Sequence, residues 1–159
     1  MFVPYFLTIF LFFHIMQVKE TNTMSIIPYV NFNGNAKDAL HFYQEVFQSE
    51  PAKIMTYHEM PKADELPDYM QSMVLHAELH LDGSILYVAD TPNDGTHPYL
   101  IGNQVTLSIQ AKTVEYAKKI YDQLSLGGIT HTPLGPTFFS PAYAEFSDKF
   151  HLRWMIITE

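Results

Sequence analysis

The sequence predicts an α+β protein: two tandem βαβββ modules forming a cleft-bearing curved mixed sheet with helices on its outer face. Three observations carry that prediction. Two apolar stripes recur at three- and four-residue spacings, one from Ala39 to Phe47 and one from Val114 to Leu124, as in a helix packed on a sheet. One strand-like segment precedes each stripe and three follow it. A turn-rich stretch from Thr91 to Gly102, holding Pro92, Asn93, Asp94, Gly95 and Pro98, separates the halves. The modules therefore cover about 25–91 and 102–159, and the repeated order points to an internal structural repeat.

Taken in order, Ile26 to Phe32 is rich in β-formers, and Asn33-Gly34-Asn35 reads as a turn that supplies Asn35 as a helix N-cap. The first stripe comprises Ala39, Leu40, Phe42, Tyr43, Val46 and Phe47. A strand near Ala52 to His58 follows, then a polar, proline-bearing loop around Met60 to Tyr69 with the character of a lid. Met73 to Leu81 and Ser84 to Asp90 form a hairpin about Asp82-Gly83, a strong two-residue turn signal. In the second half Gln104 to Gln110 alternates as a strand. Val114, Ala117, Ile120, Tyr121 and Leu124 make the second stripe, which stops at Gly127-Gly128. Strands are expected over Ile129 to Pro133, Ala142 to Ser147 and Leu152 to Thr158.

Composition narrows the function classes. A chain of 159 residues fits one domain or two small modules sharing a core, and 47% hydrophobic against 16% charged residues is the balance of a folded protein. The formal net charge of −8 argues against nucleic acid, whose binding draws on clustered Lys and Arg. With no cysteine there is no disulfide, no thiolate metal site and no Cys nucleophile, which fits the reducing cytoplasm.

The stretch from Phe2 to Val18 is apolar but carries Pro4, Thr8, His14 and Gln17. A membrane span asks for about 20 apolar residues, and a signal peptide for a basic start and a small-residue cleavage site. No Lys or Arg precedes Lys19, and Glu20-Thr21-Asn22-Thr23 lacks the small-x-small pattern. Residues 1–23 are read as an upstream extension ahead of a start at Met24. The alternative is a membrane anchor through residues 1–18.

Several strings then resemble one family. Ile27-Pro28-Tyr29-Val30-Asn31-Phe32, Gly34-Asn35-Ala36 and Ala39-Leu40-His41-Phe42-Tyr43 are similar to the opening of the PhnB-like branch of the vicinal oxygen chelate superfamily. So are His76-Ala77-Glu78-Leu79 with Asp90, Leu124-Ser125-Leu126-Gly127-Gly128, and Asp148-Lys149-Phe150 followed by Trp154-Met155-Ile156. The resemblance runs from Ile26 to Ile157 and implies the doubled βαβββ fold shared with glyoxalases, extradiol dioxygenases and antibiotic-resistance proteins. Two departures stand out: Phe138-Phe139-Ser140 replaces a frequent Trp-Gly pair, and His151 replaces a glycine.

Metal-dependent relatives take one His or Glu from each outer strand of each half. By that resemblance the slots fall on Pro28, Tyr87, Gln104 and Met155, a set with little affinity for a hard divalent ion. The inherited metal site is therefore expected to be absent. Strand alternation offers a second candidate, because His76, Glu78 and His80 share one face while Leu75, Ala77, Leu79 and Leu81 face the helix. Two His at i and i+2 can bind zinc with Glu78 as ligand or base, although half-solvated polar residues of a non-core face have the same pattern.

The same alternation puts Gln104, Thr106, Ser108 and Gln110 on the cleft face, and Arg153 with Met155 on that face of the last strand. Val105, Leu107, Ile109 and Trp154 go to the helix side. Arg153 could grip an anionic ligand through its fork, and Tyr143 and Glu145 could contribute from the neighbouring strand.

Two functions stay open. One is a metal-free small-molecule binding protein, expected as a homodimer, with His76, Glu78, His80, Gln104, Thr106, Ser108, Arg153 and Met155 lining the cleft and no cofactor. The other is an isomerase, lyase or dioxygenase with a divalent metal at His76, Glu78 and His80. The resemblance also carries labels of phosphonate use and ubiquinone methyl transfer. No Gly-rich S-adenosylmethionine loop follows a strand, which disfavours the latter.

Overall fold

The computed structural model describes residues 25–81, 83–92, 95 and 98–159. The apolar leader with Met24, Asp82 of the expected hairpin turn, and Asn93, Asp94, Thr96 and His97 of the expected linker lie outside the described residues.

Each half of the chain builds one four-stranded mixed sheet and one long helix. The first half runs β1 (Tyr29–Phe32), α1 (Ala36–Phe47), β2 (Lys53–Thr56), a short helix α2 (Asp68–Gln71), β3 (Val74–Leu81) and β4 (Ser84–Asp90). The second runs β5 (Leu107–Ala111), α3 (Val114–Leu124), β6 (Ile129–Gly135), β7 (Tyr143–Ser147) and β8 (Arg153–Thr158). The sheet orders are β1-β4-β3-β2 and β5-β8-β7-β6, with the parallel pairs β1–β4 and β5–β8. This is the expected α+β class with tandem modules.

The helices bury the stripes that predicted them: Ala39, Leu40, Tyr43 and Val46 on α1, and Ala117, Ile120 and Leu124 on α3. One core cluster joins both halves, from Phe32 and Leu79 to Phe146, Trp154 and Ile156. Trp154 is stacked edge-on against Tyr43 with ring centroids 5.7 Å apart, and Phe42 lies 5.7 Å from Phe150. The modules thus meet through their helices, α1 against α3, and among the described residues the strands form two separate sheets. Each helix packs on its own sheet, α1 on β3 and β4 and α3 on β5 and β8.

Asp148 fastens this junction. Its carboxylate is buried and accepts four hydrogen bonds: from Phe150 N (2.8 Å) and Leu152 N (3.0 Å) at Oδ1, and from Tyr43 Oη (2.7 Å) and Trp154 Nε1 (2.8 Å) at Oδ2. Burial, reinforced by the Asp148 charge, pushes the Tyr43 hydroxyl well above its ordinary pKa. A second buried carboxylate, Asp90, accepts Ala36 N at 3.0 Å and Val74 N at 2.9 Å. Asn35 is the N-cap residue of α1 as expected, but its side chain makes no capping bond, and Asp90 satisfies the first helical N–H instead.

The internal repeat extends to side chains. The last residues of β4 and β8 are Asp90 and Thr158, and each accepts a backbone N–H at the start of the neighbouring strand: Val74 N, the first of β3, to Asp90, and Ala142 N, just before β7, to Thr158 Oγ1 at 2.9 Å.

Several sequence expectations shift. β5 begins at Leu107 because its parallel partner β8 begins at Arg153, so Gln104 and Thr106 lie in the loop before the strand. Val105, expected on the helix side, is 70% exposed for the same reason. The register slips between Met55 and Thr56, whose partners are His76 and Val74; this leaves Leu75 bulged and puts Val74 in the core. The expected lid over 60–69 holds a 3₁₀ turn at Ala63–Glu65, anchored by buried Ala63. His151 adopts φ +68°, the conformation for which a glycine was expected.

Candidate functional site on the open sheet faces

The open face of the first sheet carries an aromatic and ionisable cluster. Register places Tyr29 beside Tyr87, Tyr87 beside Glu78, and Glu78 beside Lys53 across the four strands. Tyr29 Oη lies 3.1 Å from His76 Nδ1, and the His76 and Tyr87 rings meet edge to face at 4.9 Å. Partial burial pushes the Tyr29 phenol above its ordinary pKa.

Glu78 sits at the centre of the predicted histidine set. His76 Nε2 is 3.9 Å from its Oε1, His80 Nε2 is 3.6 Å from its Oε2, and Lys53 Nζ is 4.0 Å from the same Oε2. Alternation therefore brought His76, Glu78 and His80 to one face as expected. Among the described residues no three His, Asp or Glu side chains converge as metal ligands, and the two histidines here approach opposite oxygens of the carboxylate.

On the second sheet the matching register runs Ser108, Met155, Glu145 and Thr132. Glu145 thus occupies in β7 the place that Glu78 holds in β3. Tyr143 Oη donates to Glu145 Oε1 at 2.5 Å, and this bond, with some burial, holds the phenol above its ordinary pKa. Arg153 and Met155 are half-buried on this face and Ser108 is exposed. Gln104 and Thr106 are exposed in the preceding loop and do not join the strand face.

The residue beside Tyr87 on the open face is Tyr29, and Pro28 lies just before β1 with its carbonyl accepting from Tyr87 N at 3.0 Å. The residue beside Met155 is Ser108, and Gln104 lies before β5. Two phenols, one hydroxyl and one thioether do not fit an ion that relatives hold with His and Glu.

Three features escaped the sequence reading. His131 sits with Nε2 3.0 Å from Ser147 Oγ. The Tyr29–His76–Tyr87 cluster joins three strands and has no local signature. A cavity of about 380 Å³ opens at the N-terminal end of α1, lined by Asn33, Asp38, Tyr69, Ser72 and Asp90.

Comparison with known proteins places this geometry. The family described as 3-demethylubiquinone-9 3-methyltransferase matches residues 24–157. Protein YjdN of Escherichia coli K12 is 30% identical over 141 residues, covering 84% of this chain and 94% of its own. The crystal structure of protein PA1353 from Pseudomonas aeruginosa superposes with a TM-score of 0.76 at 26% identity, over 86% of this chain and 98% of that one. The PhnB protein of Bacillus cereus gives a TM-score of 0.68 at 23% identity, over 86% and 100% of the two chains. A glyoxalase/bleomycin resistance protein from Albidiferax ferrireducens shares the fold with a TM-score of 0.57 at 15% identity, over 86% and 99%. The chain therefore belongs to the family described as 3-demethylubiquinone-9 3-methyltransferase, the PhnB-like branch of the vicinal oxygen chelate superfamily.

Proposed function

We propose that this protein binds a small organic molecule on the open faces of its βαβββ sheets without the metal that related enzymes use. The observation that carries the reading is the set of side chains paired on the open faces, Tyr29 with Tyr87 and Ser108 with Met155, which suits a hard divalent ion poorly. Aromatic and polar groups beside one another, with Tyr87 and Met155 half-buried, are the usual lining of a small-molecule site. The family description names a methyl transfer, but no glycine-rich loop for S-adenosylmethionine follows a strand in this chain.

A second reading has one observation in its favour, the two histidines lying within 3.9 Å of Glu78. A divalent metal at His76, Glu78 and His80 would supply a Lewis acid for an isomerase, lyase or dioxygenase step.

Metal analysis of protein purified without a polyhistidine tag separates the two. The expected result is well under one equivalent of zinc, nickel, manganese or iron, with melting unchanged by a chelator, since a metal bound only to the native state would add to stability. Stoichiometric metal that vanishes in folded His76→Ala and His80→Ala variants establishes the second reading.

A further inference from the structure

We propose that Arg153, Ser147 and His131 form an oxyanion-binding subsite at one end of the second sheet's open face, so that the molecule bound there carries a carboxylate or phosphoryl group. The proposal rests on the small-molecule reading and names the chemistry of its ligand.

The subsite depends on a β-bulge. Along β6, Ile129 pairs with Ser147, Thr130 with Phe146 and Thr132 with Glu145, so His131 is an extra residue with no partner of its own. A bulge re-aims a side chain, and here the imidazole reaches Ser147 Oγ at 3.0 Å. Ser147 is only 8% exposed, so its hydroxyl is held in place. When Nε2 carries the imidazole hydrogen it donates to Oγ, leaving the hydroxyl hydrogen for a ligand.

Arg153 is the direct antiparallel partner of Ser147, which puts both side chains on one face about 5 Å apart at Cβ. It is the chain's one arginine. Among the described residues no carboxylate lies within ion-pair distance of its guanidinium, and its one hydrogen bond is a long one from Nη1 to the Asn103 carbonyl, 3.4 Å. A half-buried guanidinium with most of its five donors unengaged, beside an oriented hydroxyl, suits the fork geometry of an oxyanion. Glu145 bounds the subsite on its far side, two ladder pairs along and so on the same face, with its Oε1 accepting from Tyr143. That carboxylate repels an anion from the Met155 end and directs it toward Ser147.

The test is amide NMR titration of the full chain with acetate, inorganic phosphate and neutral acetamide, at ionic strength fixed with chloride. Acetate or phosphate should shift the Ser147 and Arg153 amides saturably, with acetamide at least about tenfold weaker; which anion wins decides between carboxylate and phosphoryl. Arg153→Met should weaken the anion about tenfold or more, and Arg153→Lys, which keeps charge but loses the fork, should fall between. Anion binding unchanged in Arg153→Met, or acetamide binding as well as acetate, overturns the proposal. If neutral fragments bind the open faces while anions do not, the proposal fails and the small-molecule reading survives. If no fragment of any charge binds either face, both fail.

Discussion

The Tyr43 hydroxyl donates a 2.7 Å hydrogen bond to the buried Asp148 carboxylate, tying α1 of the first module to the β7–β8 turn of the second. Removing the phenol oxygen alone leaves Asp148 three donors, so Tyr43→Phe should cost about 1 to 2 kcal/mol. Asp148→Asn turns an amide NH₂ toward groups that are themselves donors and should cost about 3 kcal/mol. Urea unfolding measures both.

The same bond has a pH consequence. The folded pKa of Tyr43 is raised above its ordinary 10.0, so the unfolded chain loses this proton first. The contribution is fully present below pH 10.0 and is lost as pH rises toward the folded value. The stability difference between wild type and Tyr43→Phe should therefore shrink above pH 10.0, and a difference that grows there would contradict the assignment.

His151→Gly should stabilise the protein. A non-glycine residue at φ +68° carries a left-handed cost of about 1 to 2 kcal/mol, offset in part by the greater freedom of glycine in the unfolded chain. A net gain of about 0.5 kcal/mol in thermal or urea unfolding is expected. A loss would mean that the imidazole makes a compensating contact.

Gly127→Ala and Gly128→Ala should differ. At Gly127, φ is +76° and a Cβ would meet only the Lys149 Cβ at an ordinary 3.6 Å, so the expected cost is about 1 kcal/mol of backbone strain. At Gly128 a Cβ would collide with the Ser147 carbonyl oxygen, which is backbone and cannot turn aside. Its cost should reach about 3 kcal/mol, and equal melting temperatures for the two variants would refute the close approach.

Much of the fold was legible because its signals are periodic. The stripes of α1 and α3 bury Leu40, Tyr43, Ile120 and Leu124 as their spacing requires, and alternation placed His76, Glu78 and His80 together. What was hidden depends on irregularities that periodicity averages away. The bulges at Leu75 and His131 shift the alternation by one residue, so Val74 entered the core and His131 reached Ser147 without any spacing to announce it. Pro28 and Gln104 lie just before β1 and β5, because counting residues from a helix does not show where parallel pairing begins. Asp90 stands in one of the family-like strings, but its bonds to Ala36 and Val74 span 54 and 16 residues and leave no local trace.

A homodimer is expected from the uncovered faces and edges. Ile54, Met55 and Tyr29 on the first sheet and Ile129 on the second are each more than 40% exposed, and a symmetric second copy would cover such surfaces. Sedimentation at micromolar concentration should give a dimer. A monomer there would leave each face to act alone.

The junction between the modules also separates two sets of positions. Residues that hold the modules together, such as Tyr43, Asp148 and Trp154, belong to the inward set of positions, while Tyr29, Glu78, Ser108 and Met155 belong to the outward set on the same strands or their neighbours. A point substitution in the outward set can change ligand chemistry without disturbing the core, whereas gain or loss of one residue within a strand exchanges the two sets. Substitution at those outward positions is a route by which one scaffold changes the chemistry of its open faces while its fold persists.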